Sequence, residues 1–410
     1  MEAMVDRHAK CTVTGRRIQE DLFKHKQSLG LEHYGILWPD SEGVTVPVGW
    51  DTDIPMIPEN ALAEFLGVKK VWIRYEGLNE TGSMKDYLVK QAVKQAVTGD
   101  YDSLSVVSSG NHAYSLAKLA KQAGKKAVIY VPETTSKLPM LQSFENAIVV
   151  AVKDAVFEDV YALASRVQID GVYNANVSND FLMTGIVPAA KHIVDTAPSA
   201  THVVAGVGNG TFLSGLVYGF DFFNHDGIAP IAVGMKGAFP LETALAYDKA
   251  YIEYQDFREA EENIEAGEGS IALESYSMPQ ATYAIRKRKG FTLGGLLNQD
   301  ITDAYALLVE KTESFKLGIV PESTGIMSLA ACMKHRYMLD PSSELVLCFT
   351  GAGYKDPEGL VQFGGSYADK LLQAVQKDIV PATGKFVENT ILASKDDSAV
   401  EIADKIRSLL

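Results

Sequence analysis

Seven short apolar runs, most of them rich in β-branched residues, alternate with longer helical stretches and constrain the fold of this 410-residue chain. Continuous apolar strands separated by helices indicate parallel sheets that are covered on both faces. The runs are 71–73, 105–107, 127–131, 147–151, 202–205, 231–233 and 345–349. The fold class is therefore predicted to be α/β.

The segments between these runs carry helical patterns. Apolar residues recur at helical spacing over 85–97 and 110–125, and each segment begins near a glycine-containing turn. Residues 43–47 resemble a strand, and residues 398–410 resemble a helix.

The length of the chain favours two packed domains over one. We predict an N-terminal arm over 1–55, an α/β domain over 56–185, a second α/β domain over 186–375 and a helical tail over 376–410.

The composition of the chain restricts its binding partners and its cellular location. The formal net charge of −14 disfavours a nucleic-acid backbone or an anionic membrane surface as a partner. The chain has no apolar run long enough to span a membrane, and its first residues lack a signal-peptide core, so a cytoplasmic location is expected. Cys11, Cys332 and Cys348 are too few and too scattered for a disulfide scaffold or a zinc site, so we expect reduced thiols and no metal.

The first candidate site residue is Lys85, in the segment Glu80-Thr-Gly-Ser-Met-Lys85-Asp86. The lysine follows a predicted strand at a turn-to-helix junction, where desolvation and nearby positive charge can lower its pKa and permit imine formation. A lysine on the solvent face of the first helical turn is the alternative.

The second candidate is the segment Ser108-Ser109-Gly110-Asn111-His112, between a strand and a helix. Its hydroxyls, amides and backbone N–H groups at a helix N-terminus suit an anionic carboxylate or a phenolate oxygen. Ordinary N-capping by Ser109 or Asn111 explains the same residues.

The third candidate is a glycine-rich turn, made of Gly206, Val207, Gly208, Asn209, Gly210 and Thr211. Its backbone N–H groups can converge on a phosphate at the start of a helix. The turn lacks the third glycine of the dinucleotide fingerprint and the ending of a P-loop, so a phosphate monoester is the better ligand. A tight strand-to-helix turn without a ligand is the alternative.

The fourth candidate is Thr350, in Thr350-Gly-Ala-Gly-Tyr-Lys355-Asp-Pro357, after the last predicted strand. A hydroxyl at the carboxyl end of a strand in an α/β sheet points into the crevice where ligands bind. An ordinary loop threonine is the alternative. We expect Lys355 to lie in an exposed loop, since Asp356 and Pro357 follow it.

The four motifs TGSMKD, SSGNHA, GVGNGT and TGAGYKDP, in this order, resemble the threonine-synthase branch of the fold type II pyridoxal phosphate (PLP) enzymes. The resemblance covers about residues 50–360. It implies a two-domain α/β fold, with parallel and mixed sheets wrapped by helices and the cofactor in the cleft between the domains. It also implies a homodimer.

The resemblance assigns a role to each motif. Lys85 is expected to form the Schiff base with PLP and to move the α-proton of the substrate. Asn111 is expected to contact the 3′-oxygen of PLP, residues 206–211 its phosphate, and Thr350 its pyridine nitrogen, where a neutral hydroxyl leaves the ring unprotonated. The substrate-binding residues implied are Ser83, Ser108, Ser109, Gly110 and His112. His112 either packs beside the cofactor ring or contacts the substrate's head group.

Two departures from the family pattern concern the substrate. Tyr87 and Leu182 occupy places where threonine synthases tend to have arginines that hold the substrate phosphate. Loss of such bidentate contacts removes strong charge-assisted hydrogen bonds. Lys137 and Arg74 are the two cations expected to be able to replace these arginines.

The expected function is PLP-dependent β- or γ-elimination or replacement on a small amino acid, in some cases with a second small nucleophile. Two alternative reactions are the β-replacement of O-phosphoserine by sulfite, which forms cysteate, and amino-acid dehydration. From a different class of protein, a PLP-fold binder without turnover is the further alternative, although such a binder has no need of Lys85.

Overall fold

The computed structural model describes residues 54–108, 110–135, 137–177, 179–249, 278–379 and 385–410. The strand predicted over 43–47, Cys11 and the candidate residue Ser109 lie outside these residues. The described chain forms two compact units. The first contains the described residues of 54–84 and 183–379, and the second contains those of 85–182 and 385–410.

The strands have the following bounds. They are β1 (Met56–Pro58), β2 (Lys70–Tyr75), β3 (Ser103–Val107), β4 (Lys126–Pro132), β5 (Ala147–Lys153), β6 (Val172–Asn174), β7 (His202–Gly206), β8 (Ala229–Met235), β9 (Phe291–Leu296), β10 (Glu344–Phe349) and β11 (Thr390–Ser394).

The α-helices have the following bounds. They are α1 (Asn60–Leu66), α2 (Lys85–Thr98), α3 (Asn111–Gln122), α4 (Leu138–Leu141), α5 (Phe157–Arg166), α6 (Val187–Thr196), α7 (Thr211–Phe222), α8 (Pro240–Ala246), α9 (Met278–Lys287), α10 (Asn298–Lys311), α11 (Glu313–Lys316), α12 (Met327–Lys334), α13 (Pro357–Phe363), α14 (Ala368–Val375) and α15 (Ala399–Leu409).

The first unit is built on a six-stranded sheet in the order β1-β2-β10-β7-β8-β9. Strand β1 pairs antiparallel with β2, and the other neighbours pair in parallel. All six residues of β10 are buried, because this strand lies inside the sheet. Two candidate segments, residues 206–211 and Thr350, follow the inner strands β7 and β10.

The second unit is built on a five-stranded sheet in the order β11-β5-β4-β3-β6, in which every neighbouring pair is parallel. Strand β11 pairs with β5, so the segment expected to be a helical tail also supplies an edge strand. The helix expected over 398–410 is present as α15. The candidate segment 108–112 lies after β3 in this unit.

The local sequence patterns account for these elements. Each of the seven apolar runs lies within a strand, and the helical patterns at 85–97 and 110–125 correspond to α2 and α3. Burial of parallel strands on both faces explains why the runs are continuous rather than alternating. The α/β fold class is confirmed.

The compact units divide the chain at three points. The chain passes from one unit to the other after Met84, after Leu182 and after Ile379. The domain boundaries given above stay predictions, and they include no crossing near Met84. Among the described residues, no helix combines the length and the apolar character that a membrane span requires.

Candidate active site

Lys85 is the first residue of α2 and is half-buried, directly after the loop 76–84 that follows β2. Its location at a strand–turn–helix junction agrees with the sequence pattern. Gly82 in this loop has a φ of +81°, a conformation that side chains with a Cβ rarely adopt. The N–H of Gly82 donates to the carbonyl of Asn79 at 2.8 Å, which closes the turn before Lys85.

The start of this loop is held by a buried ion pair. Arg74 and Glu76 are both fully buried, and Arg74 Nε lies 2.6 Å from Glu76 Oε1. The amide of Asn79 donates to the other oxygen of Glu76 at 2.6 Å, and His192 Nδ1 lies 2.8 Å from Arg74 Nη1. Arg74 therefore stabilises the loop from inside the first unit and is a poor candidate for contacting a substrate anion.

The end of the loop pairs with the segment that contains Thr350. The N–H of Met84 donates to the carbonyl of Thr350 at 2.9 Å, and the N–H of Ala352 donates to the carbonyl of Gly82 at 2.9 Å. Ser83 and Gly351 lie opposite each other in an antiparallel bridge between these bonds. Two motifs that are about 270 residues apart in the chain are thus joined within the first unit.

A third segment, residues 320–322, flanks the Thr350 segment on its other side. Gly353 N–H donates to the carbonyl of Val320 at 2.8 Å, and Glu322 N–H donates to that of Gly351 at 2.9 Å. The Glu322 carboxylate packs so closely that a Cβ on Gly351 would lie 2.1 Å from its Oε1. The sequence reasoning missed this segment, although the turn Pro321–Gly325 after the apolar pair Ile319 and Val320 is a signal for it.

Lys355 is not in an exposed loop, and that expectation was wrong. Its residue is only 8% exposed, and its Nζ donates to the carbonyl of Thr81 at 2.6 Å. Asp356 and Pro357 begin α13, and the Asp356 side chain caps this helix by accepting from Gly359 N–H. The polar residues after Lys355 therefore mark a helix start rather than a solvated loop.

In the second unit, the loop after β3 leads into the first turn of α3. Gly110 is the residue before the helix, and its N–H donates to Ser108 Oγ at 3.3 Å. Asn111 is the first helical residue and is half-buried. The Lys137 ammonium lies 3.9 Å from the point that a Cβ on Gly110 would occupy. Positive charge and the helix N-terminus together favour an anion at this loop.

His112, in the first turn of α3, is 3% exposed. Within the described residues, neither of its ring nitrogens has a hydrogen-bond partner of normal geometry. Burial, and next the positive charge of Lys85, lower the pKa of His112 to about 3, and the Ala175 backbone opposes this shift. The imidazole is therefore neutral at physiological pH and lies near the Lys85 amine.

A buried hydrogen bond joins the helices that carry Lys85 and Asn111. Asp86 is fully buried, and Ser115 Oγ donates to its Oδ1 at 2.7 Å. Asp86 is in the first turn of α2, and Ser115 is in α3. Sequence reasoning did not single out either residue, because their contact is not local in the chain.

The glycine-rich segment 206–211 lies between β7 and α7 in the first unit. Val207 N–H donates to Val233 O at 2.9 Å, which fixes the start of the turn on the neighbouring strand. Gly210 has a φ of +83° and directly precedes α7, whose first residue, Thr211, is 3% exposed. A left-handed residue before a helix turns successive N–H groups toward one point, a suitable arrangement for a phosphate.

Comparison with known proteins finds one enzyme family and relatives that share one name. The family model described as "Pyridoxal-phosphate dependent enzyme" matches residues 50–351. Threonine synthase of Methanocaldococcus jannaschii is 27% identical over 350 residues, which cover 82% of this chain and 83% of the relative. Threonine synthase of a Synechocystis species is 25% identical over 361 residues, 86% of this chain and 90% of the relative.

A solved structure shares the fold. The L-serine ammonia-lyase of the fungus Rhizomucor miehei superposes with a TM-score of 0.63 at 17% identity, over 78% of this chain and 98% of the lyase. At this level of identity the likeness concerns the fold alone.

The residues described above fit the chemistry of PLP. Taken one by one, the half-buried Lys85 at a helix start suits an imine with the cofactor aldehyde, the turn 206–211 suits its phosphate, and the hydroxyl of buried Thr350 suits a neutral partner for its pyridine nitrogen. The family match covers most of the chain. It includes the first three motifs and ends at residue 351, within the fourth. The chain therefore belongs to the family of pyridoxal-phosphate dependent enzymes, with PLP as its cofactor.

Proposed function

We propose that the protein catalyses β- or γ-elimination or replacement on a small amino acid, with Lys85 as the residue that binds PLP covalently. The observation that carries this proposal is the backbone pairing of loop 76–84, which leads into Lys85, with the segment that contains Thr350. Rigid backbone pairing of this kind holds a reactive amine in one place, which catalysis by a positioned group requires.

When bound, PLP withdraws electrons from the substrate's Cα and so acidifies its α-proton. The Lys85 Nζ is the group that accepts this proton and returns it. Thr350 would supply a neutral hydroxyl for the pyridine nitrogen of bound PLP, and its backbone carbonyl accepts from Met84 N–H. Asn111 would contact the 3′-oxygen of bound PLP, and the amides of 206–211 with the Thr211 hydroxyl would hold its phosphate.

Most of the residues proposed to bind the substrate belong to the second unit, and Ser83 belongs to the first. Ser108, Ser109 and Gly110 are proposed to receive the substrate carboxylate at the start of α3, and Lys137 adds a positive charge beside Gly110. Ser83 and His112 complete the proposed set. His112 stays neutral because of its lowered pKa, so it can accept or donate one hydrogen bond without adding charge.

The preferred substrate is proposed to differ from O-phosphohomoserine. Tyr87 and Leu182 are 1% and 0% exposed, so the positions where arginines were expected are filled by buried side chains without charge. Arg74 is already paired with Glu76. Lys137 is proposed to lie beside the substrate carboxylate, so neither cation is assigned to a second anionic group, and another small amino acid with a β- or γ-leaving group is the preferred substrate.

Borohydride reduction of the PLP-loaded protein, followed by peptide mass mapping, tests the first proposal. We expect a pyridoxyl adduct on Lys85 and its loss in Lys85→Ala. Lys334→Met provides a matched comparison, since this variant removes a different lysine, one that donates to the Gly295 carbonyl, and keeps Lys85. An adduct at another lysine, or none, would contradict the assignment.

A substrate panel tests the reaction. O-phosphohomoserine, O-phosphoserine with and without sulfite, L-serine and L-threonine are assayed for phosphate, threonine, cysteate and 2-oxo acid. We expect kcat/KM for O-phosphohomoserine to fall below about 10⁴ M⁻¹s⁻¹, the low end of ordinary enzymes. Efficient threonine formation would show that the inference from Tyr87 and Leu182 is wrong. Binding of every compound without turnover would favour a ligand-binding protein.

A further inference from the structure

We infer that Lys355 is a positioning residue that fixes the peptide between Thr81 and Gly82 and thereby places Lys85. This inference rests on the proposed role of Lys85. Lys355 is 8% exposed and donates from Nζ to Thr81 O at 2.6 Å. Burial of an ammonium group is costly unless it meets strong acceptors. The hydrogen bond to the Thr81 carbonyl offsets part of this cost and ties Lys355 to the loop.

The peptide between Thr81 and Gly82 is held from both of its polar groups. Its carbonyl oxygen accepts from Lys355, and its N–H donates to Asn79 O at 2.8 Å. The next carbonyl, that of Gly82, accepts from Ala352 N–H at 2.9 Å. Rotation of the Thr81–Gly82 peptide would break the bonds to Lys355 and Asn79 together, and the neighbouring peptide is held by Ala352, so Lys355 closes a cooperative network.

The loop is shaped around the Lys355 and Tyr354 side chains. A Cβ on Gly82 would lie 2.1 Å from Tyr354 Oη and 2.9 Å from Lys355 Cδ. The backbone of Gly82 therefore packs directly on these two side chains. Its φ of +81° is the turn that directs the chain through Ser83 and Met84 into Lys85.

Lys355 belongs to the same segment as Thr350, which pairs with Met84. The segment 350–355 thus contacts the Lys85 loop at two points, through its backbone at Thr350 and Ala352 and through its last side chain at Lys355. This explains why a lysine is buried five residues after the proposed pyridine partner. A loss of the ammonium should loosen the loop without removing any group that touches PLP.

The test compares three variants of the full-length protein, Lys355→Met, Lys355→Arg and Lys334→Met. Lys334 is the matched control, because it lies in the same unit and also donates to a backbone carbonyl, that of Gly295, at 2.7 Å. Hydrogen exchange is measured by mass spectrometry on the peptide covering residues 79–86, in protein stripped of PLP. The dissociation constant of PLP and the fraction trapped on Lys85 by borohydride are measured in parallel.

In Lys355→Met we expect exchange at Gly82 and Met84 to accelerate about 10- to 100-fold, the range for loss of a hydrogen bond to a charged group. PLP should bind about tenfold more weakly, and a smaller fraction should be trapped on Lys85. Lys334→Met should match the wild type in all three measurements. Lys355→Arg keeps a donor, so it should recover most of the protection.

Wild-type exchange and PLP affinity in Lys355→Met would overturn the inference. If Lys355→Met does not fold, Lys355→Arg decides: retained protection of Gly82 supports the inference, and lost protection contradicts it. Failure of the wild type to form a Lys85 adduct would instead contradict the proposed function, while the exchange result on stripped protein would still stand.

Discussion

The loop before α2 and the loop before α3 both join a parallel strand to a helix, yet they are stabilised in different ways. Loop 76–84 is held by an internal ion pair, a buried lysine and backbone pairing to a distant segment. Loop 108–111 leads into a turn where His112 is buried and where, among the described residues, neither of its ring nitrogens has a hydrogen-bond partner of normal geometry.

This difference suggests a division of labour. A loop that is held by hydrogen bonds to the rest of the protein is rigid before any ligand arrives, as a cofactor-carrying lysine requires. A loop with unsatisfied buried donors or acceptors is stabilised by a ligand that pairs with them. The proposed cofactor lysine follows loop 76–84, and the proposed substrate residues other than Ser83 lie in loop 108–111 or in the helical turn that follows it.

Removal of Glu76 should produce the largest loss of stability, because it removes the carboxylate that lies 2.6 Å from the fully buried Arg74 guanidinium. We expect Glu76→Ala to lower the free energy of unfolding by about 3–5 kcal/mol, the range for breaking a buried ion pair. Urea denaturation of the PLP-free protein measures this change.

Glu313→Ala is the matched control for Glu76→Ala. Its carboxylate also lies 2.6 Å from a cation, Lys316 Nζ, but both side chains are about two-thirds exposed. Solvent screens such a pair, so its removal should have an effect close to zero. Similar losses in the two variants would show that the loop before Lys85 is not held by its buried pair.

Seven of the eleven described strands, and the helices α2, α3 and α15, could be predicted from sequence because each depends on a local pattern. The apolar run 345–349 specifies a buried strand wherever it is placed in the sheet, and the apolar spacing after Lys85 specifies a helix. The glycines at 206, 208 and 210 likewise mark a strand-to-helix turn without reference to any other segment.

The contacts that hold the loops could not be predicted in this way. The bridge of Ser83 with Gly351 joins segments about 270 residues apart, and no local pattern encodes such a partner. Lys355 was misplaced because the polar residues after it were taken for a loop, whereas Asp356 caps a helix. Strand β11 was missed because Thr390–Ser394 is a short edge strand with weak apolar alternation.

Loss of the Ser115 hydroxyl should produce an intermediate effect. Ser115→Ala leaves the buried Asp86 carboxylate without the hydrogen bond from Ser115 Oγ. A hydrogen bond to a charged group contributes about 1.5–3 kcal/mol, so we expect a loss of this size in urea denaturation. Ser165→Ala is the control, since its hydroxyl is exposed and bonds only a carbonyl within α5 among the described residues. Equal effects of the two variants would contradict a structural link between α2 and α3.

The smallest expected effect at pH 7 concerns His112, whose contribution to stability appears only when the pH is lowered. The folded-state pKa of His112 is about 3, below the value near 6.5 of an exposed histidine. The unfolded chain therefore binds more protons than the folded chain between these two values, and stability must fall as the pH is lowered through this range. Between pH 7 and pH 5 this group should account for about 2 kcal/mol of lost stability.

Replacement of His112 by leucine removes the titrating group and the unpaired nitrogens together. In PLP-free protein, we expect His112→Leu to lose about 2 kcal/mol less than the wild type when urea denaturation is moved from pH 7 to pH 5. Its stability at pH 7 should not decrease, because no hydrogen bond of normal geometry is broken among the described residues. An unchanged pH slope would mean that His112 is solvated or paired in solution, and the contrast between the two loops would then disappear.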